Sequence, residues 1–170
     1  MVGVLGGTPA TETHAFYSTL VNSTANSFSA GTLNIGDNLA AGTTLSMANL
    51  VAGDSFDAQL DIANSGSLNL LYSMTSSVSG SGVLADTLQL TIRAKTSNPC
   101  SARDGTSLYA GSLASAALGD PSHGAQPGDR TVSAGNTDSL CFTVALPTSA
   151  TSTVAAQSLS ATFVFLAEQS

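Results

Sequence analysis

The sequence predicts an all-β protein: a two-sheet antiparallel sandwich of seven or eight strands, jelly-roll-like or immunoglobulin-like, with an extended N-terminal arm. Three observations lead to this prediction. From residue 28 onward, apolar residues recur at every second position in short segments. Each segment ends at Gly, Pro, Asn or Asp, the residues that favour turns. Because strands alternate with turns rather than with long helical patterns, two packed antiparallel sheets are the expected architecture.

Five segments carry the alternation. In residues 55–62, the apolar side chains at 56, 58, 60 and 62 share one face, while Asp57, Gln59 and Asp61 share the other. This is the pattern of a half-buried strand. The same pattern recurs in residues 68–74, 88–92, 140–146 and 159–165. Each of these segments is expected to bury one face in a common core.

The connections are predicted to be tight turns and one loop. Gly53 followed by Asp54 offers a permissive backbone and a capping carboxylate, and residues 127–129 (Pro-Gly-Asp) repeat this device. Residues 64–66 (Asn-Ser-Gly) form a similar turn, in which Gly66 is expected to adopt a positive φ. Gly80 to Gly82 is interpreted as a hairpin turn.

Helix signals are weak by comparison. Residues 107–118 are rich in Ala and Leu, so a short helix is an alternative there, although Gly111 interrupts the pattern. Residues 120–130 contain two prolines and two glycines, which predicts a loop.

The composition argues against two classes of protein, those that bind nucleic acid and those that cross a membrane. Only 9% of the residues are charged and the formal net charge is −7, so the chain lacks the clustered positive charge that binds the phosphates of a nucleic acid. The longest apolar runs are only a few residues, so no transmembrane span is expected. The 26 Ser and 20 Thr residues supply most of the polar surface. Because a surface with so few charges gives little electrostatic repulsion between subunits lying side by side, we expect lateral bundling.

Two cysteines, Cys100 and Cys141, make an even count in a chain with few lysines and many hydroxyl residues. That composition is typical of extracellular proteins. We therefore expect one structural disulfide, and a secreted or cell-surface location, rather than two free thiols.

Four short motifs resemble the camelysin/TasA family of secreted surface and biofilm-matrix proteins. They are residues 15–17 (Ala-Phe-Tyr), 28–35 (Phe-Ser-Ala-Gly-Thr-Leu-Asn-Ile), 49–54 (Asn-Leu-Val-Ala-Gly-Asp) and 64–68 (Asn-Ser-Gly-Ser-Leu). The resemblance covers residues 15–74, and Ala52 stands where the family commonly has proline. It implies a jelly-roll subunit that donates its N-terminal strand to the next subunit of a fibre, starting near residue 15.

The N-terminal arm, residues 1–25, precedes the predicted sandwich domain of residues 26–170. It contains two apolar patches outside the regular strand rhythm. The first candidate for a donated strand comprises Phe16, Tyr17, Leu20 and Val21, with apolar groups on both faces. The second candidate comprises Val2, Val4 and Leu5. An arm of this kind pairs with its own sheet or with a neighbour's edge. Whether residues 1–14 remain in the mature protein stays open.

Residues capable of chemistry are sparse. Neither His14 nor His123 lies at zinc-ligand spacing from another ligand, and no HExxH motif exists, so the metallopeptidase activity described for camelysin is not expected. We expect no enzyme, no cofactor and no metal. Calcium binding by Asp54, Asp57 and Asp61 is a weaker hypothesis, because the last two lie on the outward face of a strand. Asn22 begins a glycosylation sequon.

Two functions compete. The first is a structural subunit of an extracellular filament or pilus in a biofilm or cell-surface matrix, a head-to-tail homopolymer built by strand donation. The alternative is a monomeric secreted binding module for a glycan or a protein.

Overall fold

The alternating segments form strands, and the strands build two antiparallel sheets that pack face to face. The computed structural model describes residues 28–30 and 44–169. In that part of the chain the strands are β1 (Phe28–Ala30), β2 (Thr44–Ala48), β3 (Ser55–Asn64), β4 (Leu70–Gly80), β5 (Gln89–Ala94), β6 (Ser107–Ser112), β7 (Ala117–Leu118), β8 (Arg130–Val132), β9 (Thr137–Ala145) and β10 (Ser158–Gln169). The predicted all-β sandwich is confirmed, with ten strands described rather than seven or eight.

The strand order is that of a jelly roll. The first sheet has the order β1-β3-β9-β5-β6, and the second has the order β2-β10-β4-β7, with β8 also paired to β4. Four antiparallel pairs are nested along the chain: β2 with β10, β3 with β9, β4 with β7, and β5 with β6. Nested pairing of this kind arises when one long antiparallel ribbon wraps around a sandwich, which is the jelly-roll arrangement.

The core lies where the inward faces of the two sheets meet. Phe142 of β9 and Phe163 of β10 come from opposite sheets, and their ring centroids lie 5.1 Å apart. The apolar positions predicted to face inward are buried or half-buried, with one exception. Leu68 is 48% exposed because it precedes β4 instead of belonging to it.

The two Gly-Asp turns have the same construction. Gly53 has a φ of +99°, and the backbone N–H of Val51 donates to Asp54 Oδ2 at 2.8 Å. In the second turn, Gly128 has a φ of +91°, and the N–H of Gln126 donates to Asp129 Oδ2 at 2.7 Å. A positive φ at the third position requires glycine, and the following carboxylate closes the turn. The predicted similarity of the two turns is confirmed.

The turn at residues 64–66 is built differently from the prediction. Gly66 is not among the glycines with positive φ; its N–H donates to Asn64 Oδ1 at 2.9 Å. The Asn64 side chain is only 1% exposed, and its Nδ2 donates to the carbonyls of Leu68 at 2.8 Å and Val132 at 2.9 Å. The amide therefore fixes the turn and joins the end of β3 to β8 of the other sheet.

A short helix lies where a hairpin turn was predicted. Gly80 ends β4, and α1 (Gly82–Thr87) follows, capped by Ser81, whose Oγ accepts from the N–H of Leu84 at 3.2 Å. The helix buries Leu84 and Ala85. The hairpin interpretation of residues 80–82 was therefore wrong. Leu84 and Leu88 lie four residues apart and are both fully buried, but a helix of six residues is too short for this spacing to be recognised in the sequence.

The helical alternative for residues 107–118 was also wrong. These residues form β6, a 3₁₀ turn at Leu113–Ser115 and β7, so the chain changes from the first sheet to the second within twelve residues. Residues 120–129 lie outside strands and helices, as the predicted loop requires.

The predicted disulfide is present. Cys100 and Cys141 are bonded, with 5.3 Å between their α-carbons. Cys141 lies between the inward-facing Leu140 and Phe142, so its side chain points outward from β9, yet only 5% of it is exposed. The bond holds the 3₁₀ turn Cys100–Ala102 on the outward side of the first sheet. Among the described residues, no helix is long and apolar enough to cross a membrane.

Candidate functional site

The outward face of the second sheet carries exposed apolar side chains on β10. Val164 is 42% exposed and Leu166 is 37% exposed, whereas their neighbours Phe163 and Phe165 point inward and are almost fully buried. Residues 163–166 are thus apolar on both faces of the strand. A strand that bears apolar groups on both faces is typical of one covered on both sides. We call Val164 and Leu166 the β10 strip.

The β10 strip lies on a stretch of strand with one open edge in the described part of the chain. β4 pairs with β10 from Leu159 to Gln169, but on the other side β2 pairs only with residues 158–162. Within the described ranges, no strand pairs with residues 163–169 on that side. On that side β2 begins at Thr44, opposite Thr162, and the residues directly before Thr44 lie outside the described part of the chain.

The first sheet has a similar half-edge, but its outward side chains are polar. β1 pairs with β3 only at residues 62–64, and among the described residues β9 alone pairs with residues 55–61. Asp57 on the outward face is bound by Arg103, whose guanidinium lies 2.9 Å from the carboxylate. This face therefore offers no apolar surface to an added strand, and the edge of β10 is the better candidate.

A pocket of about 110 Å³ lies beside the β10 strip, between the sheet and the loop of residues 120–129. Strand and loop residues both form its walls, among them Leu71, Ser73, Leu166, Glu168, Pro121 and His123. We call it the strip pocket. Leu166 belongs both to the strip and to the pocket, so the two features form one continuous surface.

The loop over the strip pocket is held by its own carboxylates. Asp129 accepts hydrogen bonds from the N–H of Asp120 at 3.0 Å and from that of Gln126 at 2.7 Å. Asp120 Oδ1 accepts from the N–H of Ser122 at 2.8 Å. Hydrogen bonds from the side chain and the backbone of Ser122 lower the pKa of the Asp120 carboxyl. Because these carboxylates bind backbone groups, the loop is shaped before any partner arrives.

Beneath the pocket lies a polar cluster that joins the sheets. Tyr72, which contributes to the pocket wall, donates from its hydroxyl to Asp138 Oδ2 at 2.7 Å. Arg130 donates to the same carboxylate from Nε at 2.6 Å. Burial, followed by the hydrogen bond to Asp138 and the charge of its carboxylate, raises the pKa of the Tyr72 hydroxyl far above its ordinary value.

The three aspartates considered for calcium have other partners. Asp54 caps its turn, Asp57 binds Arg103, and Asp61 accepts from Ser139 Oγ at 2.6 Å and from Gln59 Nε2 at 2.8 Å. In residues 28–30 and 44–169, no group of three or more His, Cys, Asp or Glu side chains is arranged to hold a metal ion. The structure does not bring these aspartates together as one ligand set.

The structure unites one predicted pair of site residues, the two cysteines. The predicted donor residues and the sequon lie outside the described residues; they are Phe16, Tyr17, Leu20, Val21, Val2, Val4, Leu5 and Asn22. The sequence prediction missed Val164 and Leu166, since only the alternating positions 159–165 were considered. The signal was the unbroken apolar run from Phe163 to Leu166.

No family model matches this chain, and no curated protein matches it. Two solved structures are similar, those of infectious bursal disease virus Gx strain and Gt strain, at 15% and 14% sequence identity and TM-scores of 0.32 and 0.33. Each match covers 98% of this chain and 36% of the viral chain, so this chain spans about a third of the length of either. TM-scores this low carry no argument about function.

Proposed function

We propose that this protein is a structural subunit of an extracellular filament or pilus, in a biofilm or cell-surface matrix, assembled by donation of the N-terminal arm to a neighbouring subunit. The observation that carries the proposal is the apolar β10 strip, in which Val164 is 42% and Leu166 is 37% exposed, and we propose that the arm adds along the edge of β10 beside it. Strand addition to such an edge gains backbone hydrogen bonds, and alternate side chains give it specificity.

The arm has a sequence suited to this edge. Residues 15–21 match the open stretch 163–169 in length, and apolar groups occupy both faces of the arm: Phe16 and Leu20 on one, Tyr17 and Val21 on the other. An added strand at β10 has one face toward the sandwich interior and the other beside the strip. Both faces of the arm would therefore lie against apolar surface.

Donation from each copy to the next is a heterologous contact. Because the donor and the acceptor surfaces differ, the contact does not close on itself and produces a filament. The Cys100–Cys141 disulfide supports an oxidising, extracellular setting for this assembly.

The experiment is negative-stain electron microscopy of the full-length protein and two matched double variants. Phe16→Ser with Leu20→Ser changes the first apolar patch, and Val2→Ser with Val4→Ser changes the second. We expect filaments from the unaltered protein and from the second variant, and monomers from the first. Thermal unfolding of each variant in dilute solution checks that the domain remains folded. Filament loss in the second variant instead would assign donation to the Val2 patch.

Deletion of residues 1–25 is the complementary test. We expect the truncated protein to remain folded and to form no filaments. A full-length protein that stays monomeric at every concentration and salt would overturn the proposal and favour a monomeric surface binding module for a glycan or a protein.

A further inference from the structure

We infer that the strip pocket is a binding site for a primary alkylammonium group, the chemistry shared by a small aliphatic amine and the lysine side chain of a partner protein. The inference goes beyond the proposed function, since it concerns the space between β4, β10 and the loop of residues 120–129 and does not depend on the N-terminal arm. Three observations support it: a buried hydroxyl without a partner, an acidic rim and a narrow apolar space.

Ser73 supplies the buried hydroxyl. It lies on β4 directly opposite Leu166 of β10, it lines the pocket, and it is only 4% exposed. Its Oγ forms no hydrogen bond within residues 28–30 and 44–169. Since no fully enclosed side-chain oxygen or nitrogen in those residues lacks a partner, this hydroxyl opens onto free space, and the space beside it is the pocket. A nearly buried hydroxyl that faces a pocket without a partner is available to a ligand.

The rim of the pocket is acidic. Three carboxylates are among the described wall residues, whereas no lysine or arginine is. Glu168 comes from β10, two positions beyond Leu166, and its carboxylate has no ion-pair or hydrogen-bond partner in the described part of the chain. Asp120 and Asp129 come from the loop, where they accept hydrogen bonds from backbone N–H groups. A cation in the pocket would therefore be attracted from both the strand and the loop, and an anion would be repelled.

The apolar walls favour an organic cation over a bare metal ion. Leu71, Pro121 and Leu166 provide no metal ligand, and the acidic side chains and His123 are not arranged as a metal site within the described ranges. The pocket volume is about 110 Å³, and a cavity of about 150 Å³ holds the six carbons of benzene. The strip pocket therefore holds about five heavy atoms, which matches a four-carbon stem with one nitrogen. The three N–H donors of an ammonium group suffice for Ser73 and the rim carboxylates.

The test is saturation-transfer NMR of n-butylammonium with the full-length protein, a measurement on the ligand that works for monomers and filaments alike. n-Butanol and pentanoate present the same four-carbon stem with no charge and with a negative charge. We expect saturable binding of butylammonium with a millimolar dissociation constant, the range for a ligand of so few atoms, and binding of the other two weaker by about tenfold or more. If butanol binds as tightly, apolar burial alone is responsible and the inference is overturned.

Matched variants locate the amine. Ser73→Ala should weaken binding about tenfold or more, the effect of losing a hydrogen bond to a charged group, and Glu168→Gln about fivefold, the effect of losing a partly exposed ion pair. Ser77→Ala, at an exposed position on β4, and Asp86→Asn, at an exposed position on α1, are the controls and should bind like the wild type. Thermal unfolding checks that each variant is folded. If Ser73→Ala and Glu168→Gln also bind like the wild type, the amine lies elsewhere and the inference is wrong.

Two further ligands complete the test. If Nα-acetyl-lysine methylamide binds more tightly than butylammonium, and Ser73→Ala weakens both, the result supports a partner protein's lysine; equal or weaker binding supports a free amine. Displacement of butylammonium by calcium, at an ionic strength matched with sodium chloride, would show a metal site and overturn the inference. Filament assembly of Ser73→Ala should be unchanged, so failure of this inference and failure of the proposed function are recognised separately.

Discussion

The hydroxyl of Tyr72 on β4 donates a hydrogen bond of 2.7 Å to the carboxylate of Asp138 on β9, and this bond joins the two sheets. Tyr72 is only 1% exposed. Arg130 completes the cluster, since its Nε and Nη2 bind both oxygens of Asp138, at 2.6 and 2.9 Å. The charge of the half-buried carboxylate is thus compensated, and the hydroxyl inside the sandwich has its acceptor.

Substitution of Tyr72 by Phe removes this hydroxyl while keeping the ring. A hydrogen bond to a charged group contributes about 1.5–3 kcal/mol, so we expect the free energy of unfolding in urea to fall by about that amount. Tyr109→Phe is the matched control, because the Tyr109 hydroxyl donates at 2.7 Å to a neutral carbonyl, that of Ser112, in a half-buried site. The Tyr109→Phe variant should lose less unfolding free energy, about 0.5–1.5 kcal/mol. Equal losses would show that the cluster has no special role.

Substitution of Asn64 by Asp tests the amide that joins β3 to β8. Asn64 donates two hydrogen bonds from Nδ2, and an isosteric carboxylate cannot donate either of them. The buried site would then hold an uncompensated charge, and we expect a loss of about 3 kcal/mol or more in unfolding free energy. Asn69→Asp is the control: the exposed Asn69 accepts through Oδ1 from the N–H of Ala134, which Asp retains. The idea fails if both variants have wild-type stability.

Loss of the disulfide should lower stability substantially. Cys100 and Cys141 are separated by 41 residues in the sequence. Constraint of a loop of this length stabilises the folded state by about 4 kcal/mol in the chain-entropy description. We expect the Cys100→Ser, Cys141→Ser double variant to unfold at correspondingly lower urea concentration, and reductant to shift the wild-type curve toward it. Reductant should leave the double variant unchanged, and an unshifted double variant would contradict the prediction.

The Asp57–Arg103 pair should make stability depend on acidic pH. Partial burial acts to raise the pKa of the Asp57 carboxyl, but hydrogen bonds from Arg103 and Thr143, with the charge of Arg103, together lower it below its ordinary value. A carboxyl with a lowered folded-state pKa stabilises the fold above its unfolded pKa of about 4, and this contribution is lost as the pH falls through the folded value.

The measurement is urea unfolding at pH 7 and at pH 3 for the wild type and Asp57→Asn. The exposed guanidinium of Arg103 limits the effect to about 1 kcal/mol or less. We expect the wild type to lose more stability than the variant between the two pH values. Identical losses would exclude this pair as a source of the pH dependence.

Gly80 and Gly82, which flank Ser81, should respond differently to substitution by alanine. Gly80 has a φ of +98°, and an added β-carbon would lie 2.7 Å from the carbonyl oxygen of Ser158. Gly80→Ala is therefore expected to cost about 1–3 kcal/mol of unfolding free energy. Gly82 begins α1 and has no atoms within 4 Å of the added position, so Gly82→Ala should be neutral or stabilising by up to about 1 kcal/mol. A reversed order, measured by thermal unfolding, would refute this account of residue 80.

The sequence predicted correctly those features that depend only on residues close to one another in the chain. The burial of Leu60 and Phe142 followed from their alternation with polar residues, and the Gly53-Asp54 and Gly128-Asp129 turns followed from local backbone chemistry. Leu84 illustrates the limit: six residues are too few for a helical period to stand out, and burial against the rest of the sandwich stabilises α1. Leu166 was missed because only the alternating face of this strand was considered, although the unbroken apolar run from Phe163 to Leu166 indicated a second apolar face.

By itself, the amino-acid sequence determined the all-β class, the inward faces of the strands and the pairing of its only two cysteines, because these depend on a period of two and on residue counts. Tertiary structure alone decided the nested strand order, the Tyr72–Asp138 contact and the strip pocket. Each of these brings together residues far apart in the chain: 66 positions separate Tyr72 from Asp138. Local patterns fix which way a side chain faces, whereas the packing of two sheets fixes what it meets.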